Sequence, residues 1–221
     1  MNVVLITGLD NVFDESLAAA FARGDGRNGY TVYAMGEQPI DGVILLPPGL
    51  REAADTLQKD SGHIDIYIDV SDRRSPSDDF TVRSGLNDKV IHELYEANVI
   101  RPMAMLEAFL PLLENGAGKR LCYLTATEAS INETRGIDGF GYKMAKAALH
   151  NFLQITRNAL APRGYTIRAF DPVRREMCPQ MAAEAALNYF TRRRGIERGD
   201  ALRDDEGNLV FRDAYGRQHP W

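Results

Sequence analysis

Tyr142 and Lys146 stand four residues apart in the run Gly141-Tyr142-Lys143-Met144-Ala145-Lys146-Ala147-Ala148-Leu149. On a helix that spacing places both side chains on one face, about one turn apart. An ammonium beside a phenol favours the phenolate and draws its pKa down from about 10, which makes the tyrosine a usable proton donor and acceptor. Helices often carry Tyr and Lys at this spacing, so the pair gains meaning only from the elements that hold it.

Those elements follow from the pattern of apolar runs. Asn2 to Ile6, closed by Thr7-Gly8, reads as a buried parallel strand. A helix with acidic residues in its first turn is expected over 14–22. Further strands are expected over 30–35, 42–46, 64–70, 120–125, 165–170 and 208–212. Helices are expected over 50–59, over 88–113 with a kink at Pro102, from Tyr142 to about Leu160, and over 182–194. The segment 73–86, rich in Ser, Asp and Pro, reads as a surface loop. Strands alternating with helices imply an α/β fold: a doubly wound Rossmann-type domain, with a parallel sheet of about seven strands and helices on both faces. A chain of 221 residues suits a single such domain over 1–221. Ligands of such sheets bind beyond the carboxyl ends of the strands, which gathers Thr7, Gly8, Asp69, 125–130 and Pro172 around one crevice.

Bulk properties exclude several classes. A net charge of -5 argues against a nucleic-acid partner. The run Arg192-Arg193-Arg194 reads as a solvated helix end. Cys122 and Cys178 lie far apart with no metal spacing, and Cys122 reads as a buried thiol, so no metal site is expected. The absence of a bilayer-length apolar stretch and of a signal-like leader makes a cytoplasmic location the expectation, with no membrane partner.

The arrangement resembles the short-chain dehydrogenase/reductase family over essentially the whole chain. Four features carry the resemblance: Thr7-Gly8 closing the first strand, Asn98 mid-helix, Tyr142-x-x-x-Lys146 after the fifth strand, and Pro172 after the sixth. The tail 213–221 is also similar to the Pro-Trp ending of some compact bacterial members. The resemblance implies NAD(P)-dependent reduction of a small carbonyl compound or oxidation of an alcohol. Tyr142 would be the acid/base, Lys146 its activator and ribose holder, and Asn98 the anchor of a water relay. Ser130 or Thr127 would take the serine's role, since Ala126 falls at the serine's place. Thr7, Gly8, Asp10, Asn11, Glu37, Asp69, Lys146 and Pro172 would border the cofactor. Glu37, and the lack of an arginine after the second strand, favour NAD over NADP. A homodimer or homotetramer is implied through the long helix and the Tyr142 helix.

The sequence departs from that pattern at several cofactor contacts. The phosphate loop T-G-x-x-x-G-x-G reads Thr7-Gly8-Leu9-Asp10-Asn11-Val12-Phe13-Asp14. The glycines that admit a pyrophosphate to a helix N-terminus are Val12 and Asp14. Like charges about 4 Å apart cost about 4 kcal/mol near a surface; Asp14 also reads as an N-cap of its own helix. N-N-A-G is replaced by Asp69-Val70-Ser71-Asp72, and Pro172 is followed by Val173, Arg174 and Arg175. Those two arginines are candidates to attract an anionic substrate. The alternative reading is therefore a protein of this fold that has lost the dinucleotide, acting as a cofactor-independent lyase or isomerase or as a non-catalytic partner subunit.

Overall fold

The computed structural model describes residues 2–24, 26, 29–173, 176–192 and 207–221. Among the described residues, seven strands lie parallel: β1 (Asn2–Thr7), β2 (Tyr30–Ala34), β3 (Val43–Leu45), β4 (Ile66–Asp69), β5 (Arg120–Leu124), β6 (Thr166–Asp171) and β7 (Phe211–Asp213). A two-residue antiparallel strand, β8 (Gln218–His219), closes one edge, and the order is β3-β2-β1-β4-β5-β6-β7-β8. The order reverses between β1 and β4, and the crevice forms at that switch point. The expected parallel sheet is present; β8 lies too short for a strand pattern to register in sequence.

Helices α1 (Val12–Arg23), α2 (Leu50–Asp60), α3 (Asp88–Tyr95), α4 (Arg101–Asn115), α5 (Phe140–Leu160) and α6 (Pro179–Thr191) cover both faces. One apolar layer packs Leu5, Tyr67, Phe109, Leu121 and Leu153 between the sheet and α2, α4 and α5. The other packs Ile6, Leu17, Phe21, Ile68, Phe170 and Phe190 between the sheet and α1 and α6. Both faces are thus covered, as an all-parallel core requires.

Three elements differ from expectation. The helix expected over 88–113 is continuous through Pro102, which sits in the first turn of α4, and it carries a π turn at Glu96–Ile100 just before that proline. Asn98 donates to the Leu94 carbonyl at 2.9 Å, and Pro102 has no N–H to offer the Asn98 carbonyl, so both partners of a regular turn are altered there. α1 begins at Val12, not Asp14, because Asn11 caps it: its side chain accepts from the Phe13 and Asp14 amides. The segment 73–86, read as surface loop, is polar at its tip yet anchored: Asp78 and Phe80 are buried. Residues 193–194, the end of the helix expected over 182–194, and Arg174 and Arg175 lie outside the described residues.

Candidate active site

Lys146 and Tyr142 project from the first turns of α5 toward Asp72, both buried. α5 opens on Gly139 at φ 72°, a residue with no capping side chain. Its cap comes from the chain 63 residues earlier: the Asp78 carboxylate accepts from the Gly141 amide at 2.9 Å and the Tyr142 amide at 2.8 Å. Phe80, from the same segment, packs with Leu94, Ala126 and Tyr142 in a small apolar cluster. The strap 71–80 therefore fixes the helix that carries the pair.

The strap also supplies the groups that the Tyr142 hydroxyl meets. That hydroxyl donates to Asp72 Oδ1 at 2.5 Å and accepts from Arg74 Nη2 at 2.8 Å. The Arg74 guanidinium lies over the phenol ring, 4.0 Å from its centroid. Lys146 Nζ is 3.3 Å from the same Asp72 oxygen and donates to the Ser71 carbonyl at 2.6 Å and the Leu124 carbonyl at 3.2 Å. Phenol and ammonium thus meet through a shared carboxylate oxygen. Burial, followed by the charge of Asp72, holds the phenol pKa well above its ordinary value, with Arg74 opposing. The expectation of a lysine-lowered phenol is corrected on this point: with burial and with Asp72 between phenol and ammonium, the shift runs upward.

Asn98 serves the strap: its side chain donates to the Arg73 carbonyl at 2.9 Å and accepts from the Arg73 amide at 3.0 Å. Thr127 spends its amide and hydroxyl on Asp171 Oδ2, at 2.7 and 2.6 Å, while lining the crevice. Ser130 is buried, and its hydroxyl accepts from the Glu133 amide within a turn. Thr125 shares a hydrogen bond with His150, whose pKa is pushed down to about 3 by burial and then by Lys146.

At the other end of the crevice, Thr7 turns inward to Tyr67 and Asp69, each at 3.0 Å, and Asp69 accepts from the Ser71 amide at 3.0 Å. Both are internal braces, not crevice groups. Gly8, at φ +84°, lets β1 approach the strap, since a Cβ there would lie 2.8 Å from the Ser71 nitrogen. The amides at the α1 N-terminus are spent on Asn11. The buried Asp14 carboxylate accepts from the Asp10 amide at 3.1 Å and the Asn11 side chain at 2.6 Å. A reciprocal cap of this kind places a carboxyl group and an asparagine where a diphosphate would need free N–H groups.

Two cavities open on either side of the strap. One of about 680 Å³ is bordered by Gly8, Asp10, Glu37, Leu94 and Arg101. The other, of about 620 Å³, is bordered by Thr127, Glu128, Asp171, Pro172 and His219. Asp72 and Arg74 line both and form the wall between them. Sequence reasoning missed this wall. Asp72 had a signal, a carboxylate where the resembled pattern has a glycine; Arg74 and Asp78 sat in a stretch whose polarity read as solvation.

No family model matches the chain. C-signal of Myxococcus xanthus is 27% identical over 130 residues, 58% of this chain and 76% of that protein. Among solved structures, the carbonyl reductase Sniffer of D. melanogaster superposes with a TM-score of 0.79 at 15% identity, covering all of both chains. A carbonyl reductase from Pseudomonas aeruginosa PAO1 in complex with NADP gives 0.75 at 17%, again over all of both chains. An NADPH-bound carbonyl reductase from chicken fatty liver gives 0.78 at 16%, over all of both. The chain carries the fold of the short-chain dehydrogenases and reductases.

Proposed function

We propose that this chain uses a dehydrogenase-type crevice for proton handling on a small polar ligand without seating a dinucleotide. The single observation that carries the reading is the occupation of the crevice by the protein's own side chains. Asp72 and Arg74 take both hydrogen-bonding directions of the Tyr142 hydroxyl, and Asn11 takes the Phe13 and Asp14 amides at the start of α1 while itself held by Asp14. As folded, these residues do not fit a diphosphate. In this reading a ligand oxygen enters by way of the 620 Å³ cavity and replaces Asp72 as the acceptor of the Tyr142 proton. Tyr142 gives its proton to that oxygen as negative charge develops there, and Arg74 steadies the phenolate left behind. Asp72, whose Oδ1 lies 3.3 Å from Lys146 Nζ, takes the proton that the ligand carbon next to that oxygen's own carbon gives up, and the electrons of that C–H bond supply the charge that Tyr142 neutralises.

Titration of the purified chain with NADH and NADPH, followed by nucleotide fluorescence and thermal shift, tests this. No response up to millimolar concentration is expected. Saturable binding with hydride transfer to a carbonyl would overturn the reading.

A second reading, NAD(P)-dependent reduction of a small carbonyl or oxidation of an alcohol, is favoured by one observation. Tyr142 and Lys146 still meet at one point in the crevice, and similar solved structures bind NADP or NADPH. It requires the strap to leave Tyr142 and the Asn11–Asp14 cap to open. Association with a second copy through the α4 and α5 surface, where Ile100, Met103, Met144 and Ile155 are exposed, accompanies either reading. No described helix is long and apolar enough to cross a membrane.

A further inference from the structure

Arg74 is half-exposed, stacked on the Tyr142 ring, and directed into the 620 Å³ cavity. Its donors are shared out unequally. Nη2 is held by the buried phenol oxygen at 2.8 Å, and Nε faces the buried Asp72 at 3.7 Å. Nη1 instead donates to Glu128 Oε1 at 3.2 Å, and the Glu128 side chain is 35% exposed. The cavity thus already receives a carboxylate on the outer edge of the guanidinium, and that carboxylate is the solvent-facing partner of the three.

The other acidic groups around the cavity are engaged with neighbours. Asp171 accepts from Thr127 and from the Val173 amide at 2.8 Å. Glu133 contacts His219 at 2.8 Å, and Glu176 lies in the field of Arg217. A second guanidinium, Arg135, lines the same cavity, with its hydrogen bond to the Asn132 carbonyl at 3.1 Å. A planar carboxylate entering here would meet the Nη1 side of Arg74, where Glu128 now sits, and guanidinium groups pair well with planar carboxylates.

We propose that the Tyr142 crevice takes a small carboxylate-bearing ligand gripped by Arg74, and that Glu128 is the internal carboxylate this ligand displaces. The inference rests on the reading of the crevice as a ligand site for proton handling, and it adds the ligand's chemical class.

The test uses the full chain and three probes, pyruvate, 2-oxobutanoate and 3-hydroxybutanoate, each beside its primary amide, read by thermal shift and calorimetry. The acids are expected to bind and the amides to leave the protein unchanged. Glu128→Gln removes the competitor and should tighten acid binding by roughly two- to fivefold, the range of one solvent-screened ion pair. Arg74→Lys keeps the charge but not the fork, and should weaken binding tenfold or more, with an unchanged circular dichroism spectrum showing the fold intact. Equal binding of acids and amides would overturn the proposal, as would acid binding indifferent to both substitutions. No binding of any acid, in a protein that also ignores NADPH, would overturn this inference alone; binding of NADPH with hydride transfer would overturn the reading beneath it.

Discussion

Tyr142 holds its proton more firmly than a free phenol because burial penalises the phenolate and Asp72 stands against it. The sign of the resulting pH dependence follows. The unfolded phenol ionises near 10, whereas the folded one holds its proton higher. The stabilising contribution is therefore fully present below about pH 10 and is lost as pH rises beyond it. Tyr142→Phe removes the donor that Asp72 Oδ1 receives and the acceptor that Arg74 uses, and we expect a loss of about 1–3 kcal/mol in urea unfolding. Gly8→Ala should be at least as damaging, since its backbone angle and the Ser71 backbone both oppose a Cβ. The residues legible in sequence were those whose spacing is local, Tyr142 and Lys146. The direction of the phenol's shift was not legible, because the group between them, Asp72, is 70 residues from Tyr142 in the chain and no helical or strand period relates the two.

At the level of elements, the strap and α5 depend on each other. Asp78 caps a helix whose own N-terminus has only glycine, and Asn98 clamps the Arg73 backbone through a π turn. Asp78→Ala leaves two amides of α5 without a protein acceptor and is expected to lower stability by about 2 kcal/mol, read by urea unfolding. It should also speed exchange of the Gly141 and Tyr142 amides in hydrogen-exchange measurements, while amides in the middle of α1 stay protected. The alternation of strands and helices announced the sheet, because apolar runs and their turn signals are short-range features. The strap was not legible as structure: its Ser, Asp and Arg content is what a solvated loop also has, and only the long-range partners of Asp78 and Phe80 distinguish the two.

For the whole molecule, two histidines set opposing pH trends. His150, held neutral with a pKa of about 3, binds no proton in the folded state where the unfolded chain would. Stability should fall by up to about 1.4 kcal/mol per pH unit as the medium is acidified from about 6.5 toward 3. His219 lies between Glu133 and Asp213, at 2.8 and 3.0 Å, and these partners raise its pKa against the opposing effect of burial. Its contribution is fully present below about 6.5 and fades as pH rises through its elevated folded value. Thermal unfolding across pH should show His150→Asn flattening the acid limb and His219→Gln removing the decline on the neutral-to-alkaline side.

The C-terminal segment brings one more property to that edge of the fold. The ring of Trp221 stands edge-on to His150, 4.7 Å between centroids, and its carbonyl accepts from Asn132 at 2.7 Å. Since Trp221 is the chain's one tryptophan, its emission comes from a single known place beside α5. An intrinsic optical probe is thereby built in between α5 and the 130–135 turn, and movement of either can be followed by wavelength alone, in unlabelled protein.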